Sequence, residues 1–337
     1  MALPFLVTGA AGFIASNVCK ILLDQGETVV GIDNLSDAYD PQLKEWRLAQ
    51  LRQHPHFHYF PTDISDFFAV KTLFEQYAAA PSAASGVPFA AVLNLAARAG
   101  VRPSVRDPWI YFKVNTDGTL NLLELCRKFG VKKFVLSSTS SLYGGKNPIP
   151  FAEDADTNCP LSPYAASKKA AEAIAYTYHH LHKLDITVLR YFTVYGPAGR
   201  PDMSVFRFIR WIARGEAITV FGDGSQSRDF TFVEDIARGT VAAARPLGYQ
   251  VINLGGDEPA KLLDVIYELA KLLDKTPQLV FKPAHPADVP ATWANIGQAE
   301  KLLDWRPTVP LAEGLRRTVE WYRQNQELAD RLDLGEI

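Results

Sequence analysis

Tyr164 and Lys168 stand four residues apart in Ser-Pro-Tyr-Ala-Ala-Ser-Lys. That is one helical turn, so a phenol and an ammonium would share one helix face. An ammonium beside a phenol favours the phenolate and draws its pKa down from about 10. A tyrosine so tuned can take a proton from an alcohol near neutral pH. Upstream, Phe5-Leu-Val-Thr-Gly-Ala-Ala-Gly-Phe-Ile14 offers glycines at Gly9 and Gly12 and a small residue at Ala15. Gly9 permits a tight turn, Gly12 lets the backbone approach a pyrophosphate, and Ala15 allows close helix–strand packing. The helix that follows would point its N-terminus at negative charge. Asp33 closes the next apolar run, where a carboxylate can accept from both ribose hydroxyls. It would repel a 2′-phosphate, and Asn34 and Leu35 bring no arginine, so NAD is expected rather than NADP. Asp63-Ile64 could contact adenine or form an ordinary turn. Together these residues describe alcohol–ketone chemistry on a nicotinamide cofactor.

Elements must place these groups. Phe5–Thr8, Thr28–Asp33, Phe57–Pro61, Ala90–Leu95, Lys133–Ser137 and Asp185–Tyr191 read as short apolar strands. Helical patterns at 15–24, 115–128 and 162–183 separate several of them, the last carrying the Tyr–Lys pair. Such alternation predicts right-handed crossovers and an α/β fold with a mostly parallel sheet covered on both faces. Ser137-Ser-Thr-Ser-Ser-Leu-Tyr-Gly144 then brings a run of hydroxyls to the carboxyl edge of the sheet, where ligands bind in such folds. Beyond Gly196 the texture turns to loops, with glycine-rich turns at 196–202 and 221–225. A helix at 232–244, a strand at 251–254 able to rejoin the main sheet, and helices near 262–273 and 311–325 follow. Ala78 to Gly86 reads as a small-residue surface loop. The expected division is a nucleotide-binding part over 1–191, with 229–255 returning to it, and a smaller substrate-binding part from 192–228 and 256–337. The cleft between them is the expected ligand site.

Bulk properties set limits. The 337 residues carry a net charge of −2, which gives no reason to expect nucleic acid or an anionic membrane as partner. Cys19, Cys126 and Cys159 have no metal-ligand spacing and read as reduced thiols, the first two inside helices; no metal is expected. No basic segment followed by a long apolar stretch opens the sequence, so a cytoplasmic location is expected.

The chain resembles the nucleotide-sugar epimerase and dehydratase group of the extended short-chain dehydrogenases/reductases. The motifs carrying the resemblance are TGAAGFI, NLAARAGVR (94–102), SSTSSLYG (137–144), YAASK (164–168), RYFTVYGPAGRPDM (190–203) and SRDFTFVED (227–235), all in the family's order. GPAGRPDM with Thr193 is most similar to the UDP-glucuronate 4-epimerase branch. The resemblance implies a Rossmann-type, doubly wound fold and tightly held NAD, with Phe13, Ile14, Leu95, Ala96 and Ala97 beside the cofactor. It implies that Tyr164 takes the proton of the sugar 4-hydroxyl, Lys168 binds the nicotinamide ribose, and Thr139 aligns the hydroxyl. Oxidation at C4 of a uronic acid gives a β-keto acid that loses carbon dioxide readily, so the carboxylate must be held. Thr139, Ser140, Ser141 and Thr193 are the expected donors. Decarboxylating relatives carry glutamate where Ser140 stands, and dehydratases an acidic pair nearby.

Arg228 and Arg102 are expected at the diphosphate. Arg200 would either order its own loop or touch the nucleotide, and Arg190 would pair internally. Asn94 stands where many relatives have histidine, Arg98 where the nearest branch often has glutamine, and His285 where galactose epimerases have arginine. The resemblance further implies a UDP-sugar substrate and a homodimer built on the 115–128 and Tyr164 helices. The alternatives are a 4-epimerase of a neutral UDP-hexose, a UDP-glucuronate decarboxylase, and an NAD-holding sensor without turnover. The intact Tyr–Lys pair and hydroxyl strand end speak against the sensor.

Overall fold

The computed structural model describes residues 2–80, 83, 86–283 and 289–335. Twelve strands are found among them: β1 Phe5–Thr8, β2 Val29–Ile32, β3 Phe57–Phe60, β4 Ala91–Asn94, β5 Lys133–Thr139, β6 Asp185–Tyr191, β7 Thr193–Tyr195, β8 Ala217–Phe221, β9 Ser227–Phe232, β10 Tyr249–Leu254, β11 Pro259–Lys261 and β12 Gln278–Lys282. Seven form one sheet in the order β10-β6-β5-β4-β1-β2-β3, and every pairing in it is parallel. Strands β2, β4 and β5 are buried along their whole length, as a parallel sheet covered on both faces requires. The expected return of the chain near 251–254 occurs as β10, which pairs with β6.

Two apolar layers flank the sheet. One gathers Val18, Leu22, Ile236 and Ala237 from the Phe13–Asp24 and Val233–Ala242 helices. The other gathers Leu73, Leu122, Cys126 and Ala171 from the Phe67–Ala78, Gly118–Phe129 and Pro163–His182 helices. A third cluster joins the Ser204–Arg214, Leu262–Leu273 and Leu311–Gln324 helices around Ile218, Val220 and Phe232 of β8 and β9. Cys19 and Cys126 are buried in helices and Cys159 is exposed, all as free thiols.

The shortest elements leave little mark in the sequence. β7, β9 and β11 form a small mixed sheet, and β8 pairs with β12. No strand was expected at these positions; each has only three to six residues, too short a run for a periodic pattern to stand out. The helix expected at 115–128 begins after a π-helical stretch, Phe112–Asp117, and runs over Gly118–Phe129. His285, and part of the expected 78–86 surface loop, lie outside the described residues.

Candidate functional site

The strand order reverses direction between β1 and β4, and a crevice opens at that point beyond the carboxyl ends of the strands. Gly9 follows β1 with φ +68°, a left-handed conformation costly for any other residue. A Cβ there would sit 2.8 Å from the Ala96 Cα, so backbone fills the space a side chain would need. Gly12 caps the Phe13–Asp24 helix without any side-chain acceptor for the first-turn amides. Asp33, buried at the end of β2, accepts from the Ala11 amide at 3.2 Å and the Leu35 amide at 2.8 Å.

Around this turn lies a cleft bounded by Gly9, Gly12, Asp33, Asn34, Asp63, Ile64, Leu95, Ala96 and Ala97. Nine residues expected at the cofactor are thus brought together. Asn34 donates to Asp63 at 2.8 Å across the cleft, and Asp63 also accepts from Ser65, which closes the turn. Burial pushes the Asp63 carboxyl up, but its hydrogen bonds from Ser65 and Asn34 outweigh this and leave it below its ordinary value. Phe13 and Ile14 differ: Phe13 faces a second, smaller cleft, and Ile14 packs on the core.

Lys44, which the sequence reading missed, and Arg98 also line the larger cleft. Lys44, on the Pro41–Leu51 helix, is buried and donates to the Ser36 carbonyl at 2.8 Å. The helix was signalled by Asp40 as N-cap and Pro41 at the first position. Arg98 lines the same cleft and pairs with Asp37 at 3.1 Å. Asn34 and Leu35 bring no arginine, but a cation reaches Asp33 from farther along the sequence: Asp33 acts on Lys44, as do the charges of Arg47, Arg98 and Arg200. Asn94 ties β1 to the Gly118–Phe129 helix, accepting from Thr8 at 2.7 Å and donating to Thr119 at 3.0 Å.

The second half of the site stands at the end of β5. Ser162 caps the Pro163–His182 helix by accepting from the Ala165 amide, and Pro163 occupies its first position. Tyr164 then lies in the first turn, its phenol hydrogen-bonded to Thr139 and its ring edge-on to Tyr111 at 6.1 Å. Lys168 is buried and donates to the Ser137 carbonyl at 2.7 Å. Burial pushes its ammonium down to about 8, against the charge of Glu172. Tyr164 moves the other way: burial raises the phenol, against the Thr139 hydrogen bond and the charge of Arg200. This corrects the expectation that Lys168 lowers the Tyr164 pKa. The ammonium is turned to the strand carbonyl, and desolvation dominates the phenol.

Thr139 accepts from the Ser141 amide at 3.1 Å and so caps the short 3-10 turn Ser140–Tyr143, which leaves Ser140 and Ser141 partly exposed. Thr193, on β7, lines the smaller cleft with Gly196, Gly199 and Arg200. Arg200 borders both clefts and is held by Asp202 at 2.6 Å and the Ala99 carbonyl at 3.3 Å, so it does order its own loop. Arg102 stacks over Phe221 at 4.1 Å, and Arg228 on β9 donates to the Ser227 carbonyl at 2.8 Å. Neither arginine lines the two clefts just described. Arg190 pairs internally with Glu172 at 2.8 Å, as expected. Among the described residues no cluster of His, Cys, Asp or Glu could hold a metal ion. None of the described helices is long and apolar enough to cross a membrane.

A doubly wound sheet with a glycine turn, a strand-end aspartate and a Thr–Tyr–Lys constellation defines a dinucleotide-dependent enzyme of the Rossmann type. Residues 5–255 match the model of the NAD dependent epimerase/dehydratase family, and the chain belongs to that family. It is 54% identical over 325 residues to the UDP-glucuronate 4-epimerase of Thermodesulfobacterium geofontis, covering 96% of this chain and 97% of that protein. Among solved structures it is similar to the UDP-glucuronic acid 4-epimerase of Bacillus cereus in complex with UDP-glucuronic acid and NAD. That match has a TM-score of 0.87 and 38% identity, over 96% of this chain and 99% of the other. A UDP-glucose 4-epimerase of Thermotoga maritima with UDP-glucose also matches, with TM-score 0.87, 32% identity, and coverage of 96% and 100%. The cradle fits NAD: the glycine turn admits a diphosphate against helix amides, Asp33 suits a ribose diol, and the small residues 95–97 leave room for a flat ring.

Proposed function

We propose that this chain interconverts UDP-glucuronate and UDP-galacturonate by 4-epimerisation, without decarboxylation. The observation that carries this reading is the Thr139–Tyr164–Lys168 group at the end of β5, its phenol under the charge of Arg200, which borders the dinucleotide cleft, and followed by Ser140 and Ser141 rather than acids. When bound, NAD supplies the hydride acceptor that oxidises C4 and returns the hydride to the other face of the ketone. Tyr164, as phenolate, takes the proton of the 4-hydroxyl and later gives it back; Thr139 aligns that hydroxyl. Lys168 holds the nicotinamide ribose. Phe13 and Ile14 contribute backbone amides of the first helical turn, not side chains. Ser140, Ser141 and Thr193 bind the uronate carboxylate as neutral donors, so the bond to carbon dioxide is kept out of line with the ketone. A glutamate at 140 would repel that carboxylate. Arg102 and Arg228 bind the diphosphate, and Arg200 closes the nucleotide side.

Residues 1–191 with 229–255 form the nucleotide-binding part, and 192–228 with 256–337 the substrate-binding part. The chain works as a cytoplasmic homodimer paired through the Gly118–Phe129 and Pro163–His182 helices, on which Leu120, Tyr176 and Leu181 are exposed.

The deciding experiment incubates the purified protein with UDP-glucuronate and no added reductant, then separates the sugar nucleotides and weighs them. UDP-galacturonate at unchanged mass is expected. Loss of carbon dioxide would make the enzyme a decarboxylase, and turnover of UDP-glucose alone would move it to the neutral hexoses.

A further inference from the structure

Three consecutive residues at the end of β5 meet three residues of the Pro163–His182 helix, each one turn from the next. Thr139 bonds the Tyr164 phenol, the Ser137 carbonyl takes the Lys168 ammonium at 2.7 Å, and the Ser138 hydroxyl donates to the Glu172 carboxylate at 2.6 Å. Tyr164 and Lys168 belong to the proposed chemistry, whereas Glu172 is buried beneath them and is given no part in it. Its two oxygens are pinned by Arg190 of β6, through Nε at 3.0 Å and Nη2 at 2.8 Å. Arg190 is in turn fixed by donating to the Tyr143 hydroxyl at 3.0 Å, and Tyr143 donates to Asn253 of β10 at 2.6 Å. The carboxylate cannot turn away, because four elements hold it in place.

We propose that Glu172 is a positioning residue for the epimerisation: its fixed negative charge, one helical turn from Lys168, keeps that ammonium protonated and docked against the end of β5. The inference rests on the function proposed above. The charged and titratable groups facing this network are Lys168 on the same helix, Arg190 on β6, Tyr143 on the turn after β5, Glu153 beside Arg190, and Tyr249 on β10. Glu172 is the charge that opposes the effect of burial on Lys168. A carboxylate within about 4–6 Å of an ammonium holds it protonated over about one further pH unit or more.

Glu172→Gln alone leaves Arg190 buried without its partner, a strongly destabilising change. The test therefore centres on Glu172→Gln/Arg190→Met, which removes both charges together, and on Glu172→Asp, which keeps the carboxylate. In NAD-loaded protein labelled with 15N-lysine, the Lys168 Nζ resonance, assigned by its loss in Lys168→Arg, is followed against pH. The double variant is expected to titrate about one pH unit lower than the native protein, and the alkaline limb of its kcat profile to move equally. Glu172→Asp is expected to stay close to native. An unmoved midpoint in the folded double variant would overturn the proposal, as would a shift in Glu172→Asp as large as in the double variant. A double variant that fails to fold would assign the pair to stability alone and overturn it too. The titration needs no turnover, so a native protein inert on UDP-glucuronate would sink the reaction and leave this measurement readable.

Discussion

Replacing Tyr164 by phenylalanine separates chemistry from architecture more sharply than any other change. The ring stays in place, because its edge-on contact with Tyr111 at 6.1 Å does not involve the hydroxyl. What the fold loses is the hydrogen bond with Thr139, worth ~1 kcal/mol, and burial of a phenol that desolvation already disfavours as an anion. The melting temperature should therefore fall by no more than ~2 °C. What the reaction loses is its acid and base at one atom, a factor of about 10²–10⁴. At 1.36 kcal/mol per decade that is ~3–5 kcal/mol of barrier, several times the structural cost. Initial rates of UDP-galacturonate formation, with NAD content measured on the same sample, make the assay. A rate within tenfold of native would remove Tyr164 from its role. A large loss of rate together with lost NAD would mean that the residue acts through the cofactor site instead.

Other expectations follow from the same geometry. Gly9→Ala places a Cβ 2.8 Å from the Ala96 backbone at φ +68°, a strain of ~2 kcal/mol or more, so NAD should bind about 30-fold more weakly or worse, measured by the nucleotide released on dialysis. Ser140→Glu puts a carboxylate where the uronate is held; like charges at about 4 Å cost ~1–4 kcal/mol, so kcat/KM should fall at least several-fold for UDP-glucuronate and less for UDP-glucose. An equal fall for both sugars would refute the carboxylate assignment. Asp229 is fully buried, and burial raises its carboxyl from 3.8 to about 6, against three backbone amide donors. A carboxyl raised on folding contributes stability that is complete below its unfolded pKa and is lost as pH rises through about 6, here ~3 kcal/mol in all. Unfolding free energies between pH 4 and 7 should show that decline in the native protein, and Asp229→Asn should lack it.

The cofactor half was legible in the sequence because its parts are local. A strand, a glycine turn, a helix start and a strand-end aspartate each sit within a few residues, and nine of the expected residues line one cleft. Asp185–Tyr191 and Leu262–Leu273 appear with the bounds that their apolar patterns predict. What could not be read depends on distance in sequence. Lys44 reaches the cleft from a helix that has only a modest apolar face, and β7, β9 and β11 owe their existence to one another rather than to any alternation of their own. The ionisation of the Tyr–Lys pair was misread for a related reason. Spacing places the two groups on one helix face, but whether desolvation or a neighbouring charge prevails is decided by β5 and by everything packed behind it.

Burial pushes Tyr164 towards the neutral phenol and Lys168 towards the neutral amine, and the proposed reaction needs the opposite form of each. The charges that lean the required way come from outside the Tyr-x-x-x-Lys motif: Arg200 acts on the phenol and Glu172 on the ammonium. Glu172 is fixed in the core, so its contribution is constant. Arg200 is not fixed in the same manner, since it stands on the segment after β7, between the two clefts, held by Asp202 and by the Ala99 carbonyl of the loop after β4. The ionisation of the motif's two residues is therefore set jointly by a group fixed in the core and by one on a loop that borders both clefts.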